Sequence, residues 1–181
     1  TRRFGPTQWG DGTVQPRTFD DPRFHRFLWF DPISKDIALY EPARLAQLAA
    51  DVHATAVHYV ATAPLTGRVI YNSAFRPREP LAGDRDLLAE MVEQCHKRNI
   101  RLIAYFNNHW VSEDNLPPDV PWLTVFANGE PYRPIYGAGV CPCTNSPAFL
   151  SASLDICTEL VRNYDIDGIF FDGPALPYGT C

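Results

Sequence analysis

Four short apolar runs alternate with three stretches of helical periodicity, and this alternation limits the possible folds more than any other feature of the chain. Short runs of consecutive apolar residues are typical of strands buried on both faces, as in parallel sheets. Strict alternation of strand and helix predicts a parallel sheet with right-handed crossover connections. The predicted strands are Phe27–Phe30, Ala56–Val60, Arg101–Asn107 and Ile169–Phe171.

The three helices between these strands begin at recognisable local signals. Pro42 suits a first-turn position, Asp84 is the predicted N-cap of the second helix, and Ser146 with Pro147 starts the third. Asn99 is well placed to end the second helix. The predicted buried faces are Leu45, Leu48, Ala49 and Val52 in the first helix, Leu87, Leu88, Met91, Val92 and Cys95 in the second, and Phe149, Leu150, Leu154, Cys157, Leu160 and Val161 in the third.

The connections between these elements differ in length at the two ends of the predicted sheet. Only residues 54–55 and 99–100 separate a helix from the next strand, whereas residues 61–83 and 108–145 separate a strand from the next helix. Long connections at one end are expected where that end carries the function. In an α/β barrel this is the C-terminal face of the strands. The asymmetry therefore favours an enzyme barrel over a structural α/β domain.

The predicted fold class is α/β, a (β/α)8 TIM barrel represented by its first four strand–helix units. A complete barrel typically needs about 250 residues, whereas this chain has 181. We therefore expect a truncated half barrel, with residues 1–25 as a lead-in segment and residues 26–181 as the N-terminal half of a catalytic domain. The rival fold, a doubly wound open sheet, usually carries a glycine-rich phosphate loop, and the sequence contains no such motif.

Composition narrows the classes of partner. The chain has 16 basic and 21 acidic side chains, and its basic residues are dispersed, which argues against nucleic acid or an anionic membrane as a partner. No apolar run approaches the length of a membrane-spanning helix.

The sequence lacks the usual patterns of metal ligands. Cys141 and Cys143 form a C-x-C without a matching pair, and the H-x-H of metal hydrolases is missing from the first strand. We therefore predict neither a metal nor another cofactor, while the cellular compartment stays open.

The fourth predicted strand ends in an acidic residue. Asp172 directly follows Ile169–Phe171 and precedes Gly173. An acid at the point where a barrel strand emerges occupies the place where α/β barrels keep their catalytic groups. The alternative is an aspartate that caps the loop after a core strand. Asp165 and Asp167 flank the opposite end of the strand, which serves stability, and both are predicted to be structural.

The run from Asp167 to Asp172 resembles the nucleophile strand of retaining glycoside hydrolases built on α/β barrels. The α-amylase-like group has D-G-x-R-x-D, and Phe170 stands here in place of the arginine. The α-L-fucosidase-like group has an aromatic pair followed by Asp-Gly, as residues 170–173 do. Chitinase-like barrels have an acid where Pro174 stands, so that group is excluded. The resemblance implies a retaining glycosidase with Asp172 as its nucleophile.

A group of uncharacterised glycoside hydrolases is similar to this chain from about residue 27 onward. Retaining hydrolysis needs a second carboxyl group about 5–5.5 Å from the nucleophile to protonate the leaving oxygen. In the families that the chain resembles, this general acid comes from later strands, so we expect the chain alone to be inactive. The alternative function is a carbohydrate-binding protein of the same fold without catalysis. The similar stretches are Tyr71–Ser73, Asp86–Leu88, Cys95–Arg98, Ala104–Asn107, Cys141 and Ser146–Pro147.

A carbohydrate is the predicted partner, and polar and aromatic side chains near the strand ends are its predicted contacts. His58 and Tyr59 point to opposite faces of the second strand, so only one of them can line the barrel interior. An amide, an imidazole and an indole follow the third strand, and these groups suit the hydroxyls and the apolar face of a sugar. Packing within the loops or the core is the alternative for each. A half barrel also leaves two open edge strands, so a homo-oligomer is possible. The predicted contacts are His58, Tyr59, Tyr71, Asn107, His109 and Trp110.

Overall fold

Four parallel strands form one sheet, in which the spatial order of the strands follows their order in the chain. The structure, a computed structural model, describes residues 26–30, 34–64, 66–108, 110–115, 123–133 and 139–173. The predicted lead-in segment, residues 1–25, and His109 lie outside the described residues. The strands are β1 (Phe27–Phe30), β2 (Ala56–Val60), β3 (Arg101–Asn107) and β4 (Gly168–Asp172).

Three α-helices connect these strands, which gives the alternation predicted from the sequence. They are α1 (Pro42–Asp51), α2 (Leu87–His96) and α3 (Pro147–Asn163). The arrangement corresponds to half of a (β/α)8 barrel, since four parallel strands lie side by side with helices between them. Within the described part of the chain, every helix is too short or too polar to cross a membrane. Short 3₁₀ helices lie at Ser34–Leu39, Pro80–Ala82 and Glu113–Asn115.

Local signals start the first and third helices as predicted, whereas the cap of α2 is different. The Ser146 hydroxyl accepts a hydrogen bond from the backbone N–H of Phe149 at 3.4 Å. In α2 the cap is Asp86 rather than Asp84, because the Asp86 carboxylate accepts from the backbone N–H of Ala89 at 2.9 Å. The Tyr164 hydroxyl also donates to Asp86, at 2.7 Å. This tertiary contact selects between two aspartates that look equivalent in the sequence.

The hydrophobic core lies between the sheet and the helices. On β2 and β3, Val57, Tyr59, Leu102 and Phe106 are buried in this layer. The stripe predicted for α2 is confirmed throughout, since its five members are all buried. Two of them, Leu88 and Met91, are completely inaccessible to solvent.

The predicted buried faces of α1 and α3 are wrong in part. Of the face predicted for the first helix, Leu48 and Val52, the residue directly after α1, are each 48% exposed. In α3, Phe149 and Leu160 are buried as predicted, but Ser153, Ile156 and Glu159 take the remaining buried positions. The helix is therefore rotated about its axis relative to the prediction. Two hydrogen bonds fix this rotation, because Glu159 accepts from the Ser73 hydroxyl and the Ala74 backbone N–H, both at 2.6 Å. The apolar side chains of α3 that turn outward instead are Leu150, Leu154 and Val161.

Candidate active site

The face of the sheet opposite the helices carries a layer of aromatic rings. Paired residues of neighbouring strands project to the same face of a sheet, and so do residues two apart along one strand. Trp29 of β1 is paired with His58 of β2, and Tyr105 of β3 is paired with Phe170 of β4. His58 is paired with the residue two positions before Tyr105, so all four side chains share this face. The ring centroids of His58 and Phe170 lie 4.9 Å apart, and those of Trp29 and Tyr105 lie 6.1 Å apart. In a (β/α)8 barrel this face is the packed interior.

Asp172 lies at the C-terminal end of β4, above this aromatic layer. The Tyr105 hydroxyl donates a hydrogen bond of 2.5 Å to Oδ2 of Asp172. The Asp172 carbonyl accepts from the backbone N–H of Asn108 at 3.1 Å, which continues the pairing of β3 and β4 beyond its last register pair. Gly173 follows with φ of 70°, a backbone conformation that favours glycine. The carboxylate is therefore oriented by a side chain of the neighbouring strand, and its backbone is held by the pairing of β3 with β4.

Asn107 is beside Asp172 in the sheet register, but its side chain is used within the protein. Its Nδ2 donates to the carbonyl of Pro64 at 2.6 Å and to the carbonyl of Trp110 at 2.9 Å. Its Oδ1 accepts from the Trp110 backbone N–H at 3.2 Å. Asn107 is 4% exposed. Both amide protons therefore already hold the loops after β2 and β3, and contact of Asn107 with a substrate stays a prediction.

Tyr59 and Tyr71, two further predicted contacts, are both completely buried in the described structure. Tyr59 faces the helices and packs against Tyr40, with ring centroids 5.7 Å apart. Tyr71 packs against Tyr164 at 5.3 Å. Burial raises the pKa of both phenols above the usual range, so both remain neutral. The structure therefore shows both tyrosines in packing contacts, and their contact with a substrate stays a prediction.

Of the remaining predicted contacts in the described residues, His58 lies in the aromatic layer and Trp110 lies in the loop after β3. His58 is the one of the pair on β2 that enters the aromatic layer, at 4.9 Å from Phe170. Trp110 is partly buried and lies in the loop after β3, tied to Asn107 by its backbone. Their contact with a sugar stays a prediction. Among the described residues, no three His, Cys, Asp or Glu side chains converge in a way that could hold a metal ion.

Acidification provides a test of the His58 environment. Burial lowers the pKa of His58 below 6.5, so the imidazole is neutral at neutral pH in the folded protein. The unfolded chain binds this proton at higher pH, so the free energy of unfolding should fall as the pH decreases below about 6.5. The measurement is urea unfolding at several pH values between about pH 7 and pH 5, which gives the slope of unfolding free energy against pH. We expect a smaller slope in His58→Gln, because unfolding of this variant takes up fewer protons, by less than one.

The exposed His53 supplies the control for this measurement. His53 has φ of 56°, so asparagine is the replacement that best tolerates its backbone conformation. His53→Asn removes one imidazole outside the aromatic layer, and its pH slope is the one with which the slope of His58→Gln is compared. Equal slopes for His58→Gln and the unmodified protein would show that His58 contributes nothing to the acid sensitivity.

Tyr105, Trp29 and Phe170 belong to this site, although no contact with a sugar was predicted for them. The signal that could have found them is the spacing of two residues along each strand. Tyr105 precedes Asn107 by two residues and Phe170 precedes Asp172 by two, so all four project to one face. The hydrogen bond itself depends on the pairing of β3 with β4, which places Tyr105 opposite Phe170.

Comparison with known proteins agrees with this architecture. Residues 41–173 match the family described as hypothetical glycosyl hydrolase 6. The glycosyl hydrolase YngK of Bacillus subtilis (strain 168) is 31% identical to this chain, over 62% of this chain and 24% of YngK. A solved structure of alpha-L-fucosidase isoenzyme 2 from Paenibacillus thiaminolyticus is similar with a TM-score of 0.70 and 23% identity, over 86% of this chain and 24% of that chain.

Two further solved structures share the fold at lower identity. The alpha-fucosidase of Thermotoga maritima, in complex with fucose, has a TM-score of 0.55 and 17% identity, over 80% of this chain and 32% of that chain. The maltogenic alpha-amylase AmyB of Thermotoga neapolitana has a TM-score of 0.58 and 14% identity, over 83% of this chain and 39% of that chain. At these identities the likeness shows the barrel fold alone. The chain spans about a quarter of the length of the curated relative, 24%.

Proposed function

The chain belongs to the glycosyl hydrolase family matched over residues 41–173, and from this membership we propose that it is part of a retaining glycoside hydrolase. Asp172 is the proposed nucleophile. The observation that carries the proposal is the Asp172 carboxylate at the C-terminal end of β4, held by the Tyr105 hydroxyl at 2.5 Å. Catalytic groups of α/β barrels lie at this end of the strands.

The chemistry proposed for Asp172 has two steps. In the first, Oδ1 attacks the anomeric carbon, the bond from that carbon to the leaving oxygen breaks, and a carboxylic acid protonates the leaving oxygen. In the second, water attacks the same carbon while that acid, now a carboxylate, takes its proton. The bond to Oδ1 breaks as the bond to water forms, and its electron pair returns to Asp172. We assign the acid/base carboxyl group to a residue outside those described.

The surroundings of Asp172 are consistent with this chemistry. The aromatic layer lies below Asp172, and enclosing this layer within a complete barrel would keep water from one side of the carboxylate and strengthen the electrostatic interactions there. His58 is neutral at neutral pH because burial lowers its pKa, so it adds no positive charge beneath the site. Gly173 carries no side chain after the strand, which leaves room for a sugar ring beside the carboxylate.

The substrate proposed for the whole protein is a glycoside. The similar solved structures include enzymes named for α-L-fucoside hydrolysis and for maltogenic α-amylase activity. The first compounds to assay are therefore p-nitrophenyl α-L-fucoside and p-nitrophenyl α-D-glucoside, with the corresponding β-D-hexosides for comparison. Turnover of any one of them identifies the sugar for the experiments below.

A covalent adduct tests the assignment of Asp172. The full-length protein is incubated with the fluorinated analogue of the sugar that it hydrolyses, whose glycosyl-enzyme intermediate breaks down slowly. Peptide mass spectrometry should find one sugar per molecule, attached to Asp172. Attachment to another carboxylate, or turnover with inversion at the anomeric carbon and no adduct, would contradict the proposal. Binding of sugars without turnover of any of these glycosides would favour the carbohydrate-binding alternative.

A further inference from the structure

Tyr105 is the side chain that orients the Asp172 carboxylate, and its own position is closely fixed. The residue is 2% exposed, and its ring centroid lies 6.2 Å from Phe170 and 6.1 Å from Trp29. Tyr105 is paired with Phe170 in the register, so its hydroxyl reaches diagonally along β4 to Asp172, two residues further on. The ring is held by packing, and the hydroxyl is therefore aimed before any substrate arrives.

We propose that Tyr105 is a positioning residue that accelerates the second half of the reaction, the release of the sugar from Asp172. This inference rests on the proposed function, because it requires a covalent intermediate on that residue. The hydroxyl donates to Oδ2, which leaves Oδ1 as the oxygen that attacks. Without this hydrogen bond, rotation of the carboxylate about its Cβ–Cγ bond would exchange the two oxygens.

The acceleration follows from the change of charge on Asp172. In the intermediate, Oδ1 is bonded to the sugar and Oδ2 is the carbonyl oxygen of a neutral ester. When water attacks the anomeric carbon, the bond between that carbon and Oδ1 breaks and a carboxylate forms again. A hydrogen bond to a charged oxygen is about twice as strong as one to a neutral oxygen. The Tyr105 hydroxyl therefore stabilises the departing carboxylate more than it stabilises the ester.

Tyr105→Phe tests this role because it removes the hydroxyl and keeps the ring. The substrate is the dinitrophenyl glycoside of the sugar that labels Asp172, whose good leaving group makes release of the sugar the slow step. We expect kcat to fall about tenfold and KM to fall by a similar factor, because the intermediate accumulates. Rapid mixing should show a burst of dinitrophenol approaching one equivalent per active site.

Tyr164→Phe is the matched control. It removes a hydroxyl that donates to Asp86 at 2.7 Å, in a contact that caps α2 and has no part in the proposed reaction. This variant should lose stability in denaturant, while kcat and KM per titrated active site stay unchanged. A purely structural role for Tyr105 would give the same pattern in Tyr105→Phe, and that result would overturn the inference.

A second replacement covers the case in which Tyr105→Phe does not fold. Site-specific incorporation of a fluorinated tyrosine at position 105 keeps the ring and the hydroxyl but makes the hydroxyl a stronger donor. Release of the sugar should then be at least as fast as in the unmodified protein, and slower release would overturn the inference.

If the unmodified protein forms no adduct on Asp172, the proposed function fails and the inference fails with it. An adduct with unchanged kinetics in Tyr105→Phe refutes the inference alone.

Discussion

Asp172→Ala in the full-length protein is expected to lower kcat/KM for an aryl glycoside by at least about 10⁴-fold. The reason is that the proposed reaction forms a covalent bond to Oδ1 of Asp172, and alanine offers no nucleophile in its place. The position is also sensitive to geometry, because the carboxylate stands at the end of β4 with its orientation set by Tyr105. The measurement is initial-rate kinetics with the p-nitrophenyl glycoside that the unmodified protein hydrolyses.

Azide provides the complementary observation for this variant. The space left by the carboxylate admits azide, which should restore part of the activity and give a glycosyl azide with the anomeric configuration opposite to that of the substrate. Asp165→Ala is the control, because Asp165 lies at the other end of the strand and its side chain is 93% exposed. It should keep nearly full activity. An Asp172→Ala variant that keeps a tenth of the activity, or a rescued product of unchanged configuration, would contradict the assignment.

Asn107→Asp is expected to lower the free energy of unfolding by about 3 kcal/mol, although the two side chains have nearly the same shape. An ionised aspartate has no protons to donate, so the carbonyls of Pro64 and Trp110 would lose their donor and face a negative charge. Each buried group left without a partner costs about 1–3 kcal/mol. Urea unfolding followed by tryptophan fluorescence measures the change. Activity should fall as well, since Trp110 and the loops beside Asp172 lose their anchor.

Asn108→Asp is the matched control for this substitution. The side-chain oxygen of Asn108 accepts from the Ser153 hydroxyl at 3.4 Å, and an aspartate keeps that acceptor. Its unfolding free energy should change by less than about 0.5 kcal/mol. If Asn107 contacts the sugar, as the sequence alone suggested, Asn107→Asp would raise KM and leave the urea midpoint unchanged.

The strands and the starts of α1 and α3 could be predicted because their signals are local. The apolar runs mark β1 to β4 to within one residue, and Ser146 caps α3 as its residue type suggests. The α2 cap could not be chosen locally, because Asp84 and Asp86 both precede the helix. The contacts of Asp86 with Asn72 and Tyr164, both distant in the chain, decide it.

The candidate site was only partly predictable for a related reason. Asp172 stands out because an acid ends an apolar strand, whereas the roles of its neighbours depend on pairing across strands. The register of β3 with β4 brings Tyr105 to Asp172, and no spacing within one segment encodes that contact. The same holds for Asn107, whose partners Pro64 and Trp110 are supplied by two different loops. Helical periodicity likewise cannot anticipate Glu159, a buried carboxylate that holds the loop at Ser73 and sets the rotation of α3.

The agreement between strand order and chain order has a consequence for synthesis on the ribosome. Each strand of the sheet pairs with the one made just before it, as Ala56 does with Phe27 and Arg101 with Ala56. A growing chain can therefore add one strand and one helix at a time to a surface that already exists, so β2, β3 and β4 each find a partner as soon as they are made. β1 keeps one open edge throughout, while the other open edge always belongs to the most recently added strand, so this second site of possible misassembly moves along the chain as it lengthens.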